Sequence, residues 1–370
     1  MRRFITANGE YFLLCAPGGE LRPDALSIFR AAARSGADFI YADAIERLPE
    51  GKERRIVKPA ASPDTLLSYN YIGSPLAVSR ALLERAGAPG SGSYSERWAF
   101  TLRAFFLSDF ILRVPRALYA GPPERPEADA ALIEAALRRL KRPGEAWPAT
   151  APGYVTVRYA CPPETRLSVV IASCGRPEAL RDTIESMERR NMSARLEYVV
   201  AEGGAPDERK EAYLKALEAC GVKLLYQWYE RNEARLYNLA SELASGDALL
   251  FLRAGDRIES DDAPADMLPF AMQEHIGAVS AKSARPAAAE AYVRNVSTIW
   301  RAPMLSRDKL LLAGGFDESF AKRGCVPALS ITLKERRFHL LETPGAVIRP
   351  ADWQDEPDEK TRLRCGDLSL

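Results

Sequence analysis

Four short apolar runs follow residue 165, each separated from the next by a stretch with helical spacing. LSVVIA (167–172), LEYVVA (196–201), VKLLYQW (222–228) and ALLFL (248–252) have strand length and little alternation, as expected of strands covered on both faces. Pro177 opens a helix that places Leu180, Ile184 and Met187 on one side, a second helix runs from about Pro206 to Cys220, and a third lies near 233–245. This β-α-β-α-β-α-β order predicts a parallel, right-handed, doubly wound sheet. Its ligand site belongs at the carboxyl ends of the strands, from Ala172 to Arg176, Ala201 to Gly204 and Arg253 to Asp256.

Upstream the pattern changes. Residues 120–165 are rich in Pro and Ala and read as a connector with one helix, whose Leu132, Ile133, Ala136, Leu137 and Leu140 share a face between Pro126 and the Pro143-Gly144 stop. Residues 1–119 open on the strand YFLLC, followed by a helix at about 23–35, the strand DFIYAD and an irregular stretch containing SPDTLLSYNYIGSP. No β-α-β pair precedes YFLLC. Two segments recur in the same order: NGEYFLLCAPGGEL with SGDALLFLRAGDRI, and SRALLERAGAPG with SRDKLLLAGGFDE. Tandem related domains follow, the first (1–119) an incomplete copy holding only the C-terminal half, the second (166–370) complete. A strand that has lost its neighbour leaves an open edge, so a homodimer is expected to form there.

Composition narrows the picture. Lys plus Arg is 51 and Asp plus Glu 50, for a net charge of +1, which argues against a nucleic-acid-binding surface. The six cysteines (Cys15, Cys161, Cys174, Cys220, Cys325, Cys365) form no CxxC pair, so they read as small buried hydrophobes in a reduced chain and not as zinc ligands. Only His275 and His339 are present, so histidine catalysis is not expected and His339 reads as structural. Trp98, Trp228 and Trp300 read as core or interface aromatics. No apolar run approaches the roughly 18 residues of a spanning helix, and YFLLC reads as structure rather than as a signal peptide. The expected location is the cytoplasm, with attachment to the inner face of the membrane left open.

Several of these segments together resemble the family 2 glycosyltransferases, in particular the tandem kind that builds bacterial surface polysaccharides. LSVVIASCGRPEALRDTIESM is similar to that family's opening strand, loop and helix, LEYVVAEGG to its second strand, RLYNLASELASGDALLFL to the helix and strand before its metal site, and LLLAGGFDESF to its acceptor-side segment; SPDTLLSYNYIG, IYAD and RVPRALY match in the first half. The resemblance implies a glycosyltransferase-A-like, Rossmann-like α/β fold with a mostly parallel sheet. It also implies a nucleotide-sugar donor of the UDP or dTDP type, a glycan acceptor, Mg²⁺ or Mn²⁺ on an Asp-x-Asp pair, and an acidic general base.

The residues depart from that pattern where the chemistry sits. The Asp-x-Asp position reads Arg253-Ala254-Gly255, with Asp256 just beyond, and the first-half equivalent reads Ala16-Pro17-Gly18-Gly19. Where the base is expected stand Cys325 and Val326, and in the first half Arg97 and Ala99 with Glu96 alongside; the acidic pair after LEYVV is reduced to Ala201-Glu202. The resemblance then leaves Ala172, Ser173, Arg176, Glu202, Arg235, Arg253 and Asp256 to hold a nucleotide sugar, Asp256 and Asp317 as the carboxylates for catalysis, and no metal ligands. Arg253 either replaces the metal by gripping the pyrophosphate, or is a solvated loop residue, or pairs with Glu259 or Asp261. Three readings stay open: a catalytically impaired relative that binds a nucleotide sugar or supports a partner glycosyltransferase, an active metal-independent transferase, and a decayed remnant.

Overall fold

The computed structural model describes residues 2–90, 92–191, 195–283, 292–320 and 324–351; Cys365 lies outside them. The chain divides into unit 1, Met1–Val157, and unit 2, Arg158–Leu370.

Unit 1 comprises β1 (Arg2–Thr6), β2 (Gly9–Leu14), β3 (Glu20–Leu21), α1 (Ala25–Ala33), β4 (Phe39–Arg47), β5 (Glu53–Ile56), α2 (Pro63–Ser68), β6 (Leu76–Ser79), α3 (Arg80–Ala86), α4 (Tyr94–Leu107), β7 (Ile111–Gly121), α5 (Ala130–Arg139) and β8 (Gly144–Pro148). β9 (Val155–Tyr159) pairs with β8 and carries the chain across the boundary. The connector thus holds the expected helix and also a strand pair that its Pro-rich composition hides. Phe4, Tyr11, Leu13, Phe29, Ile40 and Leu118 share one core.

Unit 2 continues with β10 (Leu167–Ser173), α6 (Pro177–Arg190), β11 (Leu196–Glu202), α7 (Glu208–Ala219), β12 (Lys223–Tyr226), α8 (Glu233–Leu243), β13 (Ala248–Arg253), β14 (Arg257–Ile258), α9 (Ala263–Ala271), β15 (Ile276–Lys282), β16 (Arg294–Asn295), β17 (Met304–Ser306), α10 (Arg307–Ala313), α11 (Cys325–Glu335) and β18 (His339–Arg349). Its sheet runs β12-β11-β10-β13-β17-β15-β18-β14. The first four strands are parallel, as their apolar runs predict. β17 then enters antiparallel between β13 and β15, so the sheet is mixed rather than simply doubly wound. Val170, Val199 and Phe251 form one cross-sheet row and pack with Ala234, Tyr237 and Ala240 of α8. This is the Rossmann-like α/β architecture expected of a glycosyltransferase-A-like unit.

Five strands of unit 1 repeat five of unit 2 in order and sense. β2-β6-β4-β7-β3 matches β13-β17-β15-β18-β14, with β4 and β7 parallel as β15 and β18 are, and the other pairs antiparallel. One expectation fails. The edge of β2 is not open: β1 folds back on it from Arg2↔Leu13 to Thr6↔Gly9, on the side where unit 2 has β10 beside β13. The reason for expecting pairing with a second copy at that edge is removed.

The core of unit 1 buries one cation. The Lys58 ammonium donates to the carbonyls of Ile72 and Ser74 (2.7 Å), and burial pushes it down from 10.5 to about 7, against the raising fields of Glu124 and Asp43. Across that window the unfolded chain holds a proton that the folded one has lost, so unit 1 gains stability as pH rises from about 7 to 10.5. Lys58→Met should flatten this slope in thermal melts taken through the window; an unchanged slope would assign it to other groups.

Candidate functional site

The carboxyl ends of β10, β11 and β13 form a short row. Ser173 lies beside Glu202, and Ala172 beside Arg253. Because side chains alternate along a strand, Glu202 and Arg253 point to opposite faces of the sheet. Each meets a helix there, and each is taken up by an opposite charge.

On one face Glu202 is buried with Lys210 of α7. Lys210 Nζ lies 3.1 Å from Glu202 Oε1 and also donates to the Ala205 carbonyl at 3.0 Å. The Ser173 hydroxyl donates to Glu202 Oε2 at 2.5 Å, and the Gly204 amide to Oε1 at 2.7 Å. On the other face Arg253 makes a two-pronged contact with Glu233, the first residue of α8, with Nε donating to Oε1 at 2.5 Å and Nη2 to Oε2. Burial alone would lower the guanidinium, but the Glu233 carboxylate outweighs it and holds Arg253 charged. Glu259 and Asp261, the partners suggested by nearness in sequence, bind Arg349 (2.7 Å) and Arg190 (2.9 Å) instead.

Asp256 is buried, and both of its oxygens accept backbone amides: Oδ2 from Arg253 (2.9 Å) and Oδ1 from Ala351 (2.9 Å). The Asp256 amide returns a bond to the Arg253 carbonyl at 3.0 Å, which closes a tight turn. Gly255 sits at φ +107 in that turn, its amide donating to the Thr183 hydroxyl at 2.8 Å, and a Cβ there would lie 2.7 Å from that of Ala351. Burial raises the Asp256 carboxyl, opposed by those amide bonds. Asp256, expected as a catalytic and nucleotide-sugar-binding carboxylate, uses both oxygens to hold the turn.

Asp317 likewise caps its own loop, with Oδ1 accepting the Ser319 amide at 2.9 Å. That loop is tied to α8: Asn238 donates to the Phe316 carbonyl (2.9 Å) and to Glu318 (3.0 Å), and Asn232 donates to the Glu318 carbonyl (2.7 Å). Ala172 contributes its backbone, its carbonyl accepting the Ala254 amide at 2.9 Å. Arg176 is exposed at the cap of α6, and Arg235 is exposed 3.4 Å from Glu230. The strand ends thus hold two separate networks, Ser173 with Glu202 and Lys210, and Arg253 with Glu233 and Asp256, and the exposed Arg176 and Arg235 belong to neither.

At the position expected for the base, Cys325 is fully buried with Tyr237, Phe251, Phe316 and Phe320. Burial and the nearby Glu233 push its thiol up, so it is neither a base nor a thiolate. The first-half counterparts are also engaged: Glu96 caps α4 with Ser93, and Arg97 donates to the Gly92 carbonyl. The cysteines are less uniform than composition suggests, since Cys174 and Cys220 are exposed. His275 and His339 meet edge to face, with ring centroids 6.2 Å apart, at the opposite end of β15 and β18. Trp98 is fully buried, whereas Trp300 is exposed.

A divalent cation does not fit this site. Its position holds a guanidinium already paired with Glu233 and a single buried carboxylate with a backbone amide on each oxygen, and no three His, Cys, Asp or Glu side chains form a cation-binding group among the described residues. Nor is any helix among them long and apolar enough to cross a membrane.

No family model matches the chain. It is similar to the O-antigen biosynthesis protein RfbC of Myxococcus xanthus, 23% identical over 393 residues, which cover 92% of this chain and 30% of that protein. The chain therefore spans about a third of the length of this curated relative, whose name agrees with the resemblance carried by the sequence motifs. Among solved structures it is similar to the mannosyltransferase PcManGT from Pyrobaculum calidifontis bound to GDP-Man and Mn²⁺ (18% identity, 60% of this chain and 64% of that one, TM-score 0.43). It is also similar to TarS 1-349 of S. aureus bound to UDP-GlcNAc (14% identity, 52% and 60%, TM-score 0.42).

Proposed function

We propose that this chain is a glycosyltransferase-like protein of surface-polysaccharide synthesis that no longer transfers sugar and acts by binding. The observation that carries the reading is the Arg253–Glu233 pair, which occupies the metal position with a cation that is already neutralised. Two features support it: Asp256 commits both oxygens to backbone amides, and among the described residues the buried Cys325 stands where a base is expected. Glu202, the acid expected to meet the nucleotide, is engaged by Lys210.

The test is release of nucleoside diphosphate from UDP-, dTDP- and GDP-sugars by the full chain with Mn²⁺, alongside calorimetric titration with UDP and dTDP with and without Mn²⁺. No release above buffer is expected, and no change in nucleotide affinity on adding Mn²⁺. Release by the purified chain, lost in Arg253→Ala, would overturn the proposal in favour of a metal-independent transferase in which Arg253 leaves Glu233 for the pyrophosphate.

A further inference from the structure

Unit 1 contains a cavity of about 290 Å³ outside the site described above. It lies beyond the carboxyl ends of β4 and β7, and its volume is near the lower end of the roughly 300–1,000 Å³ typical of small-molecule sites. Its walls are tyrosines from four separate parts of the chain. Tyr69 and Tyr154 stand edge to face with ring centroids 5.0 Å apart, both half-buried, while Tyr94 and Tyr119 are almost fully buried behind them. The deeper hydroxyls are already engaged: Tyr94 accepts the Asn70 amide at 3.0 Å and Tyr119 donates to the Ala16 carbonyl at 3.1 Å. These rings are therefore held rigidly by contacts to the backbone.

Two polar groups on the wall are not so occupied. Asn70 is 6% exposed, and its side-chain oxygen accepts the Gly73 amide at 3.2 Å. Its side-chain NH2 donates to no group among the described residues. Among the described residues Glu124 meets only the Ser74 hydroxyl at 3.4 Å and Arg97 at 3.9 Å, which leaves most of its four acceptor sites open. The cations on the wall, by contrast, are engaged. Arg54 is bound to Glu46 at 2.5 Å, and the Lys58 ammonium to two carbonyls, so no cation is left for a phosphate.

We propose that this cavity binds a neutral pyranose residue of a glycan. Flat tyrosine faces suit the C–H faces of a sugar ring, the Glu124 carboxylate can accept from neighbouring hydroxyls, and the Asn70 NH2 can donate to one. The balance of two acids and two bases on the wall suits an uncharged polyol rather than a nucleotide. The site requires no metal and none of the strand-end residues of unit 2, so it stands whether or not unit 2 turns over donor.

The test is saturation-transfer NMR of the full chain against glucose, galactose, mannose, rhamnose and N-acetylglucosamine, with and without EDTA. At least one of the five should receive saturation, unaffected by EDTA. Tyr154→Ala, Glu124→Gln and Asn70→Asp should each weaken it about tenfold, as expected for losing one ring contact or one directed hydrogen bond. Asn70→Asp retains the oxygen that holds the Gly73 turn, and a native-like melt for each variant separates lost binding from lost folding. No transfer to any of the five sugars would overturn the proposal, as would binding that survives all three substitutions. Neither result bears on donor turnover, which is read by nucleoside diphosphate release.

Discussion

Lys210→Ala should cost about 3–5 kcal/mol of stability, the range for removing one partner of a buried ion pair. The side chains of Lys210 and Glu202 are 5% and 2% exposed, so water cannot replace the lost ammonium. The Ser173 hydroxyl and the Gly204 amide would remain as the only partners of an otherwise uncompensated carboxylate. The double replacement Lys210→Met with Glu202→Gln should recover most of the loss, because it removes both charges and an amide can still meet Ser173 and Gly204. Urea denaturation followed by circular dichroism gives both values. A loss below about 1 kcal/mol in Lys210→Ala would place the pair in the class of weak surface bridges and free Glu202 for a ligand.

The parallel half of unit 2 was legible because burial on both faces leaves a local signature. LSVVIA, LEYVVA and ALLFL became β10, β11 and β13 to within a residue or two, and their carboxyl ends lie side by side as their order predicts. The antiparallel insertion of β17 was not legible, since three residues carry no pattern of their own and their place is set by the strands on either side. In unit 1 the internal repeat pointed to the matching strand order, while the covering of β2 by β1 was missed because RRFIT has a single buried residue.

At the site the residue positions were legible and their partners were not. Arg253 and Glu233 are 20 residues apart, and they meet because the pleat turns Arg253 toward α8 while Asn232 caps that helix and fixes where Glu233 begins it. Nearness along the chain suggested Glu259 and Asp261, which the turn at 253–256 directs elsewhere. Lys210 and Glu233 were passed over for the same reason. A signal was present in both cases: each charge stands in the first turn of a helix next in sequence to a strand of the site, α7 after β11 and α8 before β13. The tyrosine cavity of unit 1 left less trace, because Tyr69, Tyr94, Tyr119 and Tyr154 come from distant segments and only the tertiary fold assembles them.

Introducing an Asp-x-Asp pair by Arg253→Asp with Gly255→Asp should fail to build a cation site and should destabilise unit 2 by about 4 kcal/mol or more. Arg253→Asp removes the guanidinium from Glu233, whose side chain is 12% exposed, and sets a third carboxylate beside Glu233 and Asp256. Since Arg253 itself is 26% exposed, water softens that loss to about 3 kcal/mol, the bottom of the buried-pair range. Gly255→Asp forces a side chain onto a backbone at φ +107, and its Cβ would meet that of Ala351 at 2.7 Å, which adds roughly 1–3 kcal/mol. The turn that presents position 255 is itself held by both oxygens of Asp256, so the new carboxylate could be accommodated only by breaking the Arg253 and Ala351 amide bonds. Denaturation of the double variant and its titration with Mn²⁺ decide the matter together. A variant that melts like the native chain and binds Mn²⁺ would mean that the strand end can adopt a metal-binding geometry and that Arg253 and Gly255 are what exclude the cation there. A variant that is destabilised and binds no Mn²⁺ would mean that the turn is built around the Arg253–Glu233 pair, so that the present packing and a cation site at this strand end exclude one another.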